Sequence, residues 1–128
     1  MAYISGALLA LGVAWVARVT RFDRDRSFYP TLLIVIASYY VLFAVMAQSS
    51  ALIAELLFAL FFAVLALVSA YVSIWFVVAG LMLHGAFDYV HDALITNAGV
   101  PTWWSAFCLA FDVTLTLWLA WLALSQKR

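Results

Sequence analysis

A nine-residue stretch, 84–92, carries both histidines of the chain and two of its six acids. It reads HGAFDYVHD, and its ionisable side chains are His84, Asp88, His91 and Asp92. Imidazole nitrogens and carboxylate oxygens are common ligands of zinc and iron, and histidine also exchanges protons near neutral pH. The stretch therefore indicates a site for a metal, another cation or protons.

The spacing within this stretch limits what it can hold alone. At about 100° per residue, His84, Asp88 and His91 lie on one face of a helix, with Asp92 beside them. They extend roughly 10 Å along the axis, so one ion cannot contact all three. A second polar stripe at helical spacing follows, comprising Ser105, Cys108, Asp112 and Thr116. Asp112 is thus the candidate that completes a site from a second helix.

The elements that carry these residues are predicted to be transmembrane helices. The chain is 70% apolar and only 9% charged, with a mean hydropathy of +1.15, whereas soluble domains are about one quarter charged. The first apolar run, 2–17, lacks a basic start and is followed by arginines, so we interpret it as a retained span. The single cysteine, Cys108, allows no intrachain disulfide.

The predicted spans follow from the apolar runs and the breaks between them. The stretch 51–95 has no charged loop and no proline, and as one helix it would extend roughly 67 Å, more than twice the core of a bilayer. We expect it to fold back near 69–73, although one span followed by an interfacial helix with the histidines is the alternative. The five spans then cover 2–17, 30–47, the two halves of 51–95, and 103–124.

The basic residues predict the orientation of these spans. All of them lie in two places, with Arg18, Arg21, Arg24 and Arg26 in one segment and Lys127 and Arg128 at the end of the chain. Cytoplasmic ends carry the excess of lysine and arginine, so both places are expected on the cytoplasmic side. The prediction is one all-α domain, 1–128, with five transmembrane helices, the N-terminus outside and the C-terminus in the cytoplasm.

Helical depth places the ionisable residues at overlapping levels. Counted from the outer ends of the spans, His84 lies roughly 16 Å deep, Asp112 roughly 13 Å and Asp88 roughly 10 Å. Glu55 lies near the outer start of the third span, roughly 6 Å deep. A shared cavity in the outer half of the membrane is therefore expected. Its further lining candidates are Glu55, Asp92, Cys108, Ser38 and Tyr39, with Tyr40 as an alternative to the last two.

The charge balance of this cavity favours a bound cation. Glu55, Asp88, Asp92 and Asp112 lie in stretches without any basic residue, and intramembrane acids require a partner. We predict a divalent metal, zinc or iron, held by His84, Asp88, His91 and Asp112. It could serve a membrane enzyme in which the metal activates water against a lipid-like substrate, although no catalytic residue can be named.

Two other functions remain open at this point. One is a proton- or cation-coupled carrier or channel, which five short helices would form more readily as a homo-oligomer. The other is an accessory subunit whose polar cluster only holds helices together, since polar contacts between membrane helices are ordinary. We expect the bilayer as a partner and find no nucleic-acid-binding surface.

Two stretches resemble a family of small uncharacterised bacterial membrane proteins with several spans. They are RDRSFYPTLLIVIASYYVLFA at 24–44 and HGAFDYVHDALITNAGVPTWWSAFC at 84–108, with FDV following at 111–113. The resemblance covers about half of the chain. It implies placement in a bacterial inner membrane and carries no activity that could be transferred.

Overall fold

In the computed structural model, residues 1–125 are described, and they form a helical bundle without strands. Its helices are α1 (Ala2–Thr20), α2 (Phe28–Met46), α3 (Leu52–Tyr71), α4 (Ile74–Leu94) and α5 (Trp104–Ser125), with a 3-10 turn over Phe22–Arg24. All five are long and apolar enough to cross a membrane. The predicted all-α fold with five spans is confirmed, and the histidines lie on a spanning helix instead of an interfacial one. Lys127 and Arg128 lie outside the described residues.

The helix ends follow from local chemistry. α1 ends where Arg21 adopts a left-handed conformation with φ 66°, a common way to terminate a helix. α2 begins at Phe28, so Pro30 lies in its first turn, where the missing N–H has no partner to lose. α4 ends where Ile95 becomes extended, immediately before the loop that contains Asn97 and Gly99.

The sharp turn between α3 and α4 lies within the predicted stretch 69–73. The Ser73 side chain caps α4 by accepting a hydrogen bond from the Trp75 amide at 3.3 Å. The Ser69 hydroxyl donates to the Ser73 carbonyl at 2.9 Å and accepts from the Val77 amide at 3.1 Å. Two serines thus satisfy backbone groups that would otherwise be unpaired in an apolar environment.

The order of packing determines which helices can share a site. α5 lies between α1 and α4, and α3 lies between α2 and α4. α2 also reaches α4, so α4 contacts three other helices. We call the end of the bundle with 18–26 the arginine end, and the opposite end, with 47–51 and 95–103, the asparagine end.

The surface of the bundle is apolar, whereas its interior contains the polar groups. Leu57, Leu60 and Leu117 are each more than 60% exposed, while the histidines and most acids of the spans are buried. This distribution is the one expected where lipid replaces water as the solvent, because lipid tails offer polar groups no hydrogen bonds. It indicates a multi-pass membrane protein.

Two glycines bring α5 close to its neighbours. A Cβ atom at Gly6 of α1 would lie 2.1 Å from the Phe107 carbonyl oxygen, so only glycine permits this approach. A Cβ atom at Gly85 of α4 would lie 3.4 Å from the Cβ of Asp112. This is ordinary van der Waals contact, and because Gly85 follows His84 directly, it places the two polar stripes next to each other.

Candidate cation site

Three ionisable side chains from α4 and α5 meet in the bundle interior. His84, Asp88 and Asp112 each offer a ligand atom, and these atoms all lie within 4.8 Å of one another. Nδ1 of His84 lies 2.7 Å from Oδ2 of Asp112 and 3.4 Å from Oδ2 of Asp88. All three side chains are fully buried. We call this group the His84 triad, and the predicted meeting of the two polar stripes is what forms it.

Neighbouring groups hold the triad in place. The Tyr40 hydroxyl of α2 donates a hydrogen bond of 2.6 Å to Oδ1 of Asp88. The Thr116 hydroxyl donates to the backbone carbonyl of Asp112 at 2.7 Å, so it satisfies that carbonyl and does not bind the carboxylate of the same residue. The ring of Phe62 from α3 packs edge-on against His84, with centroids 4.7 Å apart. The triad is therefore enclosed by residues of four helices.

The triad has more hydrogen-bonding capacity than its surroundings use. Nε2 of His84, Oδ2 of Asp88 and Oδ1 of Asp112 are buried and have no hydrogen-bond partner among residues 1–125. No lysine or arginine occurs between positions 27 and 126, so the imidazole of His84 is the basic group that faces the two carboxylates. Buried polar groups are normally satisfied. Three polar atoms of one group without a partner are therefore unusual, and they mark the triad as a candidate site.

A second buried group lies toward the asparagine end. Nε2 of His91 lies 2.7 Å from Oε2 of Glu55, and the Asn97 amide donates to the same oxygen at 2.7 Å. The Asn97 amide also donates to the Tyr40 carbonyl at 3.1 Å. Glu55 and His91 are almost completely buried. We call Glu55, His91 and Asn97 the Glu55 group; it links α2, α3, α4 and the loop.

Tyr40 connects the two groups. Its ring stacks on the imidazole of His91, with centroids 3.9 Å apart and an interplanar angle of 12°, while its hydroxyl binds Asp88. The Tyr40 side chain therefore contacts a member of each group, so a change in either group alters a contact of Tyr40.

Comparison with protein-family models, with curated proteins and with solved structures gives no match. The site must be interpreted from its own geometry.

The remaining predicted residues lie in different environments. His91 is outside the triad and pairs with Glu55 instead. Asp92 has an 83% exposed side chain, 3.5 Å from Nδ1 of His91. Cys108 is buried. Ser38 is exposed and donates to the Val35 carbonyl of its own helix, and the Tyr39 ring packs edge-on against Trp104.

The sequence interpretation gave too little weight to Tyr40 and missed Asn97. Tyr40 is one of two adjacent tyrosines, and only its position on the buried face of α2 distinguishes it from Tyr39. Asn97 lies in the loop after α4, between the predicted spans. The sequence did contain a signal for Asn97, because an amide side chain near a predicted intramembrane acid such as Glu55 can donate a hydrogen bond to it.

An apolar groove approaches the triad from the side that faces lipid. It lies between α3 and α4, has a volume of about 650 Å³, and is lined only by apolar side chains, among them Phe61, Phe62, Leu83 and Phe87. Phe62 lines this groove and also contacts the imidazole of His84. The ring of Phe62 thus separates the groove from the triad by the thickness of one side chain.

Proposed function

We propose that the His84 triad binds a divalent metal ion. The observation that carries the proposal is the presence of one imidazole and two carboxylates, fully buried within 4.8 Å of one another, in helices that contain no lysine or arginine. Burying a charge without compensation is very costly. A divalent cation would neutralise both carboxylates, and it would take the place of the hydrogen bond between His84 and Asp112.

The donor set suits zinc or iron. Zinc takes imidazole nitrogen and carboxylate oxygen at about 2.0–2.2 Å, which places tetrahedral ligand atoms roughly 3.3 Å apart. Small side-chain rotations would bring the three donors to that spacing, since the His84–Asp112 contact must lengthen from 2.7 Å and the widest separation shorten from 4.8 Å. Three protein ligands leave one position for water, which is typical of catalytic sites.

The finer proposal is a metal-dependent membrane enzyme acting on a lipid-like substrate. A metal held by the triad would lower the pKa of its bound water and so supply hydroxide at neutral pH. The groove between α3 and α4 supports an apolar substrate, because it faces lipid and ends at Phe62, against His84. Because the triad is fully buried, such a substrate reaches it only when the aromatic side chains move.

Elemental analysis of the full-length protein, purified without chelators, tests the proposal. The wild type is expected to contain about one zinc or iron per chain. The matched variants are His84→Gln and His91→Gln, which make the same change in the two buried imidazoles; only the first should lose the metal. Wild-type protein that contains no metal and takes up none on reconstitution, or equal loss from both variants, would refute the metal site.

A second candidate, proton coupling in a carrier, is favoured by one distance. His84 and Asp112 approach to 2.7 Å, which is a hydrogen-bond distance and shorter than the spacing of two ligands around zinc. A proton shared in the triad would offset one negative charge without any metal. This candidate predicts proton flux in liposomes containing metal-free protein and loss of that flux in Asp112→Asn.

We further propose placement in a bacterial inner membrane, with the N-terminus outside and the C-terminus in the cytoplasm. The resemblance at 24–44 and 84–108 and the arginines at 18–26 support this orientation. Reporter fusions at Ser50, Tyr71 and Asn97 test it. Activity of a cytoplasmic reporter is expected only at Tyr71, and activity at Ser50 or Asn97 would invert the topology.

A further inference from the structure

A second polar site lies at the arginine end, far along the chain from the triad. A cavity of about 380 Å³ opens there between the segment that joins α1 to α2 and the turn that joins α3 to α4. Its polar lining comes from Asp23, Arg24, Asp25, Arg26, Tyr29 and Ser69. An adjoining cavity of about 310 Å³ shares Asp23 and Arg24 and adds Arg18 and Arg21.

The arginines of this segment exceed the acids that could neutralise them. Asp23 pairs with Arg18 at 3.2 Å. Asp25 accepts hydrogen bonds from the Ser27 amide and hydroxyl at 2.9 and 2.7 Å, and these bonds hold the pKa of the Asp25 carboxyl below its usual value. Arg24 and Arg26 have no carboxylate within 4.0 Å in the part of the chain that the structure describes. The cavity is therefore lined by two arginines that have no carboxylate partner among the described residues.

The inner wall of the cavity contains a buried donor. Tyr29 is only 4% exposed and lines the cavity, yet its hydroxyl proton has no acceptor among the described residues. The buried indole N–H of Trp118 interacts with the oxygen of this hydroxyl. Ser69 is already engaged at the turn. Two arginines and a buried hydroxyl in the wall of one cavity provide donors for an anion with several acceptor oxygens.

We propose that this cavity binds the phosphate group of an anionic phospholipid. Arginine pairs with phosphate through parallel N–H donors, and the Tyr29 hydroxyl supplies a further donor. The position favours a lipid, because the cavity lies at the ends of four spanning helices, at the level where headgroups meet water. Basic segments next to spanning helices attract anionic lipids in the same way. This binding site is independent of the proposed metal.

Native mass spectrometry of the full-length protein in detergent tests the proposal. The probes are phosphatidylglycerol and phosphatidylcholine with identical acyl chains, and phosphatidylglycerol should bind about tenfold more tightly. Arg26→Gln should weaken its binding roughly fivefold. Arg21→Gln is the matched control, since Arg21 is also exposed but lines neighbouring cavities and not this one, and it should change the affinity less than twofold.

Tyr29→Phe removes only the hydroxyl and should weaken phosphatidylglycerol roughly tenfold, with no effect on phosphatidylcholine. Equal effects of the two arginine variants would indicate a diffuse positive field and overturn the site, as would an unchanged affinity in Tyr29→Phe. Equal affinity for the two lipids would do the same. Displacement of the lipid by millimolar inorganic phosphate would assign the cavity to a soluble phosphate ester instead.

Discussion

The bundle contains two buried histidine–carboxylate groups that use the same chemistry in different proportions. In the Glu55 group, one carboxylate meets one imidazole and one amide, and both contacts to Oε2 are 2.7 Å long. In the His84 triad, two carboxylates meet one imidazole. Both groups contain buried polar atoms without a hydrogen-bond partner within residues 1–125: three in the triad, and Oε1 of Glu55 and Nδ1 of His91 in the Glu55 group. The two groups therefore differ mainly in the second carboxylate of the triad.

This difference teaches that burial alone does not identify a functional residue. Both histidines and both sets of acids are buried to the same degree. The Glu55 group joins α3, α4 and the loop at the asparagine end, which is the role of a structural contact between membrane helices. The triad has a second carboxylate for a single imidazole, and this excess of acceptors is the basis for proposing a cation there.

The largest expected effect contrasts one acid from each group. Asp112→Asn removes a charged ligand from the triad and should reduce bound metal from about one per chain to nearly none. Glu55→Gln makes the same change in the Glu55 group and should leave the metal content intact. Metal analysis after identical purification measures both. Metal loss from Glu55→Gln with retention in Asp112→Asn would reverse the assignment of the two groups.

The stability of the fold should depend more on the Glu55 group than on the triad. Glu55→Ala leaves the buried donors of His91 and Asn97 without their acceptor, so we expect a loss of about 3 kcal/mol in the free energy of unfolding. Denaturant titration in detergent micelles measures this loss, and the metal content of the folded fraction should remain near one. A fully stable Glu55→Ala variant would show that the Glu55 group is not a structural contact.

Tyr40→Phe tests the connection between the groups. It removes the hydrogen bond to Asp88 and keeps the ring that stacks on His91. Because partners of metal ligands orient them, metal affinity should fall roughly tenfold, and stability should fall by about 1 kcal/mol. Competition with a chelator of known affinity measures the first effect. An unchanged metal affinity would mean that Tyr40 does not position Asp88.

A smaller, kinetic effect is expected at the aromatic wall. Phe62→Ala should open the groove toward His84 and accelerate metal removal several-fold by a chelator that dissolves in the bilayer. Phe61→Ala is the control, because Phe61 lines the same groove and contacts Phe62 instead of His84. Stripping rates in liposomes compare the two. Equal rates would argue against access from the lipid side.

The smallest effect is expected at Asp92. Its side chain is 83% exposed, lies 3.5 Å from Nδ1 of His91 and is close to the end of α4, so we expect it to reach water at the membrane surface. Asp92→Asn should change the free energy of unfolding by no more than about 0.5 kcal/mol and leave the metal content unchanged. The same denaturant and metal measurements apply. A large loss of either would place Asp92 in the Glu55 group.

Several features could be predicted from the amino-acid sequence because they depend on local chemistry. The five spans follow from apolar runs of bilayer length, and the turn at 69–73 follows from the impossible length of a single helix over 51–95. The pairing of the His84 stripe with Asp112 follows from helical periodicity and from the short loop between two antiparallel helices. Each of these inferences uses positions that are near in sequence or related by one hairpin.

The division of the ionisable residues into two groups was decided only by the tertiary structure. On α4 alone, His84 and His91 lie on one face roughly 10 Å apart, so the sequence shows that one ion cannot contact both but not which acid each of them meets. The packing of α2 and α3 brings Tyr40 to Asp88 and Glu55 to His91. Tyr40 is 48 residues from Asp88 along the chain, and Glu55 is 36 residues from His91. Periodicity within one helix specifies a face, but only contacts between helices specify which charge meets which donor.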